Sequence, residues 1–155
     1  MERWLFVCMG NICRSPTLEG VMRERIARAG LTGRLEVDSA GTGPWHAGKA
    51  PDERSARAAA RRGYDLTPLR ARQIVAGDFE RFDLILAADR DNLAWLRERC
   101  PEIHLHKLRL ALSVLEDGAE IPDPYFGGED GFERVLDLVE AACDAWLAGR
   151  FHGDA

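Results

Sequence analysis

Near the start of the chain, Cys8 and Arg14 are separated by five residues in Cys8-Met9-Gly10-Asn11-Ile12-Cys13-Arg14-Ser15. A cysteine thiolate is a strong nucleophile. A planar guanidinium can hold two phosphate oxygens at once and fits the equatorial oxygens of a phosphoryl transition state. Ser15 can donate a hydrogen bond to the sulfur. Gly10 and Asn11 are residues that tolerate positive φ, as a tightly wound loop requires. The chemistry these residue types suit is covalent displacement at a phosphate ester.

C-x5-R on its own is equally compatible with a buried strand cysteine and a surface arginine. The neighbours favour a phosphate loop. Leu5–Cys8 is an apolar run that reads as a buried strand, and Ser15-Pro16 reads as a helix start with Ser15 as cap. Met9 to Arg14 then connects a strand end to a helix N-terminus, where backbone N–H groups and the helix dipole converge on an anion. The nucleotide-binding glycine loop needs a Lys that this segment lacks. Cys8 and Cys13 have no further ligands at zinc-like spacing, and His104 and His106 read as solvated or core residues, so no metal and no cofactor are expected.

Attack on a phosphate ester also needs a proton donor for the leaving oxygen, and then a base for water. Asp123 is the candidate, in Ile121-Pro122-Asp123-Pro124-Tyr125-Phe126-Gly127-Gly128. Two prolines fix the backbone around it, and the aromatic residues beside it can wall a substrate slot. Taken alone, this segment reads first as a rigid turn.

The elements that must position these groups alternate between strand and helix. Leu18, Val21, Met22 and Ile26 recur at helical spacing, with Gly30 as a stop. Leu35–Asp38 is a second strand, followed by a loop from Gly41 to Pro51. Asp52 caps an Ala-rich helix ending near Gly63, and Leu84–Ala87 is a third strand. Asp89 caps the next helix, Ile103–Leu105 forms a weaker fourth strand, and a loop runs from Glu116 to Gly131. The last helix carries Phe132, Val135, Val139, Ala142, Cys143 and Trp146 on one face, with Gly149 after it. This order predicts an α/β fold with a parallel sheet covered on both sides, ligands sitting beyond the carboxyl ends of the strands.

A chain of 155 residues fits one domain, spanning 1–155, with 46% hydrophobic and 30% charged residues. A net charge of -5 argues against nucleic acid as a partner. No apolar run is long enough to span a membrane, and the N-terminus lacks the apolar core of a signal peptide. A cytoplasmic monomer is the default expectation. In that setting the cysteines, Cys8, Cys13, Cys100 and Cys143, are expected to be free, catalytic or redox-active.

Together these segments resemble the low-molecular-weight protein tyrosine phosphatases. The resemblance covers nearly the whole chain. It is most specific in Val7–Pro16 and Asp123-Pro124-Tyr125, and extends to Asp38-Ser39-Ala40-Gly41-Thr42, Trp45, Pro51-Asp52-Glu53-Arg54 and Asp89-Arg90-Asp91-Asn92-Leu93. It implies a single-domain three-layer sandwich with a four-stranded parallel sheet, and a phosphocysteine intermediate without metal. Cys8 would be the nucleophile, Arg14 the phosphate clamp, and Asp123 general acid and then base. Met9, Gly10, Asn11, Ile12, Cys13 and Ser15 would form the phosphate-binding loop, with Asn11 bonded to Ser15 and Ser39. Ile12, Trp45, His46, Tyr125 and Phe126 would line the slot for a phosphotyrosine-containing protein. The chain departs from the family pattern at Arg62, where a histidine often stands, and at His46 and Phe126.

Cys13, on the same loop as Cys8, is expected to act as a resolving thiol that protects an oxidised Cys8. Three other functions fit parts of the pattern. Arsenate reduction needs a downstream cysteine pair, whereas Cys100 stands alone. Phosphoarginine hydrolysis goes with Thr at the position of Ile12. A non-enzymatic anion-binding module would bind phosphate without turnover.

Overall fold

The computed structural model describes residues 1–125 and 128–151. Its centre is β1 (Glu2–Cys8), whose residues Trp4 to Cys8 are all buried. A strand covered on both faces can be apolar at every position. Trp4 and Phe6 face a core shared with α1 (Arg14–Arg28) and α5 (Glu129–Phe151). Leu5 and Val7 face a second core with α4 (Arg90–Arg99) and Phe79 of the short α3 (Ala76–Arg81). The two-residue period of the strand thus divides its side chains between two layers of helices.

The sheet is parallel throughout, in the order β2-β1-β3-β4, with β2 (Leu35–Gly41), β3 (Leu84–Ala87) and β4 (Leu108–Leu110). Trp4 pairs with both Val37 and Leu84, and Ala87 with Leu110. From β1 the chain moves to β2 on one side, then returns past β1 to β3 on the other. The reversal opens a crevice at the carboxyl ends of β1 and β3, because α1 and α4 leave those strands toward opposite faces. The single-domain, three-layer architecture is the one expected.

Some local expectations are corrected. Ile103–Leu105 lies in a 3-10 helix over Glu102–Lys107, and the fourth strand is the next segment. His104 and His106 therefore lie in this 3-10 helix, where neither is buried. The three-residue β4 carries too few alternating positions for its period to be read. Helix α1 starts at Arg14 with Cys13 at its cap, so Ser15 lies inside the first turn with its hydroxyl free for the site. α5 continues through Gly149 to Phe151. Helix α2 (Glu53–Arg61) is capped by Asp52, which accepts from the Arg54 amide. Cys143 is buried as expected, whereas Cys100 ends α4 and is only partly covered.

Candidate active site

The chain from Cys8 to Arg14 wraps around the sulfur of Cys8. The Asn11 amide donates to Cys8 Sγ at 3.3 Å, and Ser15 Oγ lies 3.0 Å from it. Asn11 is the one non-glycine residue at positive φ among the described residues, at 57°. Its side chain holds that conformation: Nδ2 donates to Ser15 Oγ at 2.8 Å and to Ser39 Oγ at 2.9 Å, and Oδ1 accepts from the Arg72 amide at 3.0 Å. Asn11 is 2% exposed, so each bond is made away from water, where an unmade one costs most.

Gly10 does not adopt the positive φ expected of it. It is small for another reason: a Cβ there would lie 2.8 Å from His46 Cδ2. The following loop closes over this turn from the end of β2. The Thr42 and Gly43 amides donate to the carbonyls of Cys8 and Met9. Trp45 folds its indole over Gly43, where any Cβ would strike the ring.

Arg14 is buried beneath the slot. Nη1 donates to Asp89 Oδ2 at 2.7 Å and to the Ile121 carbonyl at 3.0 Å. Nη2 lies 3.7 Å from Asp123 Oδ2. Burial opposes the guanidinium charge, but the Cys8 sulfur, Asp89 and Asp123 outweigh it and raise Arg14 above its ordinary value. Arg14 is thus a fixed cation with one edge held by Asp89 across the crevice. Asp89 has a second duty, its Oδ1 capping α4 through the Asn92 amide. The sequence marked it as a cap and as part of a family-like segment, with no role at the site; an acid two positions past the end of a central strand was the available signal.

Asp123 sits in an Asx turn, accepting from the Tyr125 amide at 3.0 Å. This loop is tied down by Arg54, which the sequence placed in a family-like segment without assigning it a role. Arg54 Nη2 donates to the Tyr125 carbonyl at 2.8 Å, and the guanidinium lies 5.5 Å from the Tyr125 ring centre. The same guanidinium pairs with Asp52, whose amide donates to the Ile12 carbonyl.

A slot of about 230 Å³ results, lined by Cys8, Ile12, Arg14, Trp45, His46, Asp123 and Tyr125 among others. Every slot and catalytic candidate from the sequence reaches it except Phe126, which lies outside the described residues. Ser39 lies behind the loop, where it donates to the buried Glu19. Arg62 does not support the loop at all. It reaches instead to Glu133, Asp137 and Glu140 of α5. Burial, reinforced by Asp52, pushes the Cys13 thiol up to about 12 against a hydrogen bond from Ser55.

A parallel sheet whose crevice pairs a strand-end thiol with a buried arginine and a facing carboxyl defines the class, that of the protein-tyrosine phosphatases. The chain belongs to the low molecular weight phosphotyrosine protein phosphatase family, whose model matches residues 3–151. It is 46% identical over 151 residues to a low molecular weight protein-tyrosine-phosphatase of Streptomyces coelicolor, covering 94% of this chain and 92% of that one. The crystal structure of an Entamoeba histolytica protein tyrosine phosphatase, with Hepes in its active site, superposes with a TM-score of 0.94 at 40% identity and full coverage of both chains. YfkJ from Bacillus subtilis superposes with a TM-score of 0.90 at 38% identity, covering 96% and 94%.

Proposed function

We propose that this chain hydrolyses phosphotyrosine in proteins through a phosphocysteine on Cys8. The observation that carries the reading is the convergence of Cys8, Arg14 and Asp123 on one slot. The Cys8 thiolate attacks phosphorus as the P–O bond to the tyrosine breaks. Asp123 gives its proton to the departing phenolate oxygen. Arg14, already fixed by Asp89, binds the equatorial oxygens whose charge rearranges in the transition state. Water then attacks the phosphocysteine, Asp123 takes its proton, the P–S bond breaks, and inorganic phosphate leaves Cys8 as thiolate.

Ring-bearing walls favour an aryl ester. Trp45, His46 and Tyr125 line the entrance, and Ile12 offers no hydroxyl to a nitrogen-linked phosphate. Hydrolysis of a generic aryl phosphate tests the chemistry, with Cys8→Ser and Asp123→Ala as controls. Cys8→Ser is expected to abolish turnover, and full activity in that variant would end the proposal. Rates on phosphotyrosine and phosphoarginine peptides decide the substrate, and turnover confined to arsenate with a thioredoxin system would point to reduction.

Cys13 serves as a redox guard. The Cys8 thiolate attacks hydrogen peroxide, breaking its O–O bond to give a sulfenic acid and hydroxide; the Cys13 thiol then loses its proton and displaces the sulfenic hydroxide, which takes up that proton, leaving a Cys8–Cys13 disulfide and water. With its thiol pushed up to about 12, Cys13 attacks faster as pH rises, so disulfide yield measured by mass spectrometry should increase from neutral to alkaline pH.

A further inference from the structure

A second, larger groove opens beside the catalytic crevice, with a volume of about 430 Å³. Arg97 projects into it from α4, Arg109 from β4, and His106 from the 3-10 helix. Arg97 and Arg109 are exposed and make no ion pair among the described residues. Arg90 lines the mouth, already paired with Glu120. Asp117 is the single carboxylate in the lining. The floor is apolar, formed by Leu93, Leu108 and Leu110, and Ser113 spends its hydroxyl on the Leu110 carbonyl. On a chain whose net charge is -5, two arginines without ion pairs among the described residues converge on one groove and concentrate positive potential there against the overall charge.

Both walls of this groove run directly into the catalytic crevice. Arg90 follows Asp89, which holds Arg14. The opposite wall, at Asp117 and Gly118, continues through Ile121, whose carbonyl also holds Arg14, to Asp123. Strands β1 and β4 are two positions apart in the sheet, about 10 Å at ordinary strand spacing.

We infer that the groove is a docking site for an acidic segment of the phosphoprotein substrate, placed about three to six residues from the phosphotyrosine in extended chain. The inference rests on the phosphatase reading for its partner. Charge complementarity selects a carboxylate-rich chain. An open groove with two exposed arginines on separate elements suits several weak contacts from a peptide better than a single small anion.

Two measurements test it. The first is steady-state kinetics on a phosphotyrosine peptide with a run of glutamates on either side, on its glutamine counterpart, and on a small aryl phosphate. The acidic peptide is expected to show a KM about fivefold lower than the neutral one, an advantage that fades with salt. Arg97→Glu with Arg109→Glu should raise KM for the acidic peptide about tenfold or more, with kcat and aryl phosphate turnover unchanged. Arg97→Gln with Arg109→Gln should give a smaller change in the same direction. Equal KM values for the two peptides in the parent protein would overturn the inference, as would a charge reversal that weakens all substrates alike. The second is binding of the acidic peptide without phosphate to the Cys8→Ser protein, by fluorescence anisotropy. Binding lost on charge reversal supports the groove even if no phosphopeptide is hydrolysed, a result that would count only against the phosphatase reading. No binding would sink the groove even if hydrolysis is robust.

Discussion

Asn11 and Asp123 serve the same slot from opposite ends of the chain, but Asn11 is 2% exposed while the Asp123 side chain is 36% exposed. The phosphate loop is held from beneath by Ser15, Ser39 and the Arg72 amide, all converging on the Asn11 side chain. The acid loop is held from one side, by Arg54 and by its own Asx turn. The first is built before substrate arrives and shares its bonds with the fold. The second can be altered while the fold stands. Phosphate binding and transition-state charge need fixed donors, since preorganised dipoles cost no reorganisation during the reaction. Proton transfer needs an acid that can meet a substrate and later a water.

The largest effect should therefore come with no structural penalty. Asp123→Asn is expected to lower kcat about 1,000-fold on an unactivated aryl phosphate, and less on one with an acidic leaving group. Its melting temperature should match the parent. A large fall in stability would show that the acid loop supports the fold after all.

Asn11→Ala should instead damage both. It leaves Ser39 and the Arg72 amide short of a partner inside the protein and removes the side chain that holds the positive φ. We expect about 3 kcal/mol lost in denaturant unfolding, and about 100-fold in kcat/KM. Intact stability with lost activity would break the contrast drawn between the two walls.

Arg54→Ala sharpens it. Losing its contacts with the Tyr125 carbonyl and ring should loosen chiefly the acid loop, since Asp52 keeps its backbone bonds to Ile12 and to α2, with a drop in kcat of about five- to tenfold. If Arg54 acts through Asp123, the double variant Arg54→Ala, Asp123→Asn should be no slower than Asp123→Asn alone. Additive losses would assign Arg54 some other task.

The same asymmetry explains what could be read in the sequence. The phosphate loop is contiguous, so Cys8, Asn11, Arg14 and Ser15 declare themselves within a single strand-loop-helix segment. Asp123 was legible through its flanking prolines and the family resemblance. The roles of Asp89, Glu19, Arg54 and Arg72 were not, because each works through a partner 20 or more positions from it in sequence. A cap at Asp89 looks the same whether or not its second oxygen holds an arginine. Strand β4 was misplaced because three residues give no usable period, and the preceding 3-10 helix carries the more apolar-looking run. The parallel sheet and its layers followed from the alternation of the first three strands with helices, whereas the strand order came only from the structure.

The smallest expected effect concerns the deepest support of the phosphate loop. Glu19 accepts from Ser39 Oγ at 2.6 Å and pairs with Arg23 at 2.5 Å, and it is 2% exposed. Burial raises its pKa; Ser39 and Arg23 pull against that rise, and Asp38 adds to it. A carboxyl raised in the folded state binds its proton more tightly there than in the unfolded chain. Its contribution to stability is therefore full below the ordinary carboxyl value of about 4.3 and is lost as pH climbs through the folded value. Glu19→Gln keeps a carbonyl acceptor for Ser39 and removes the titration. Melting temperatures measured from about pH 4 to about pH 8 should fall with rising pH in the parent relative to the variant, with kcat little changed in either. Parallel profiles would mean that Arg23 and Ser39 fully compensate the buried charge. The burial of the phosphate loop would then carry no cost in charge, and the difference between the two walls would rest on hydrogen bonding alone.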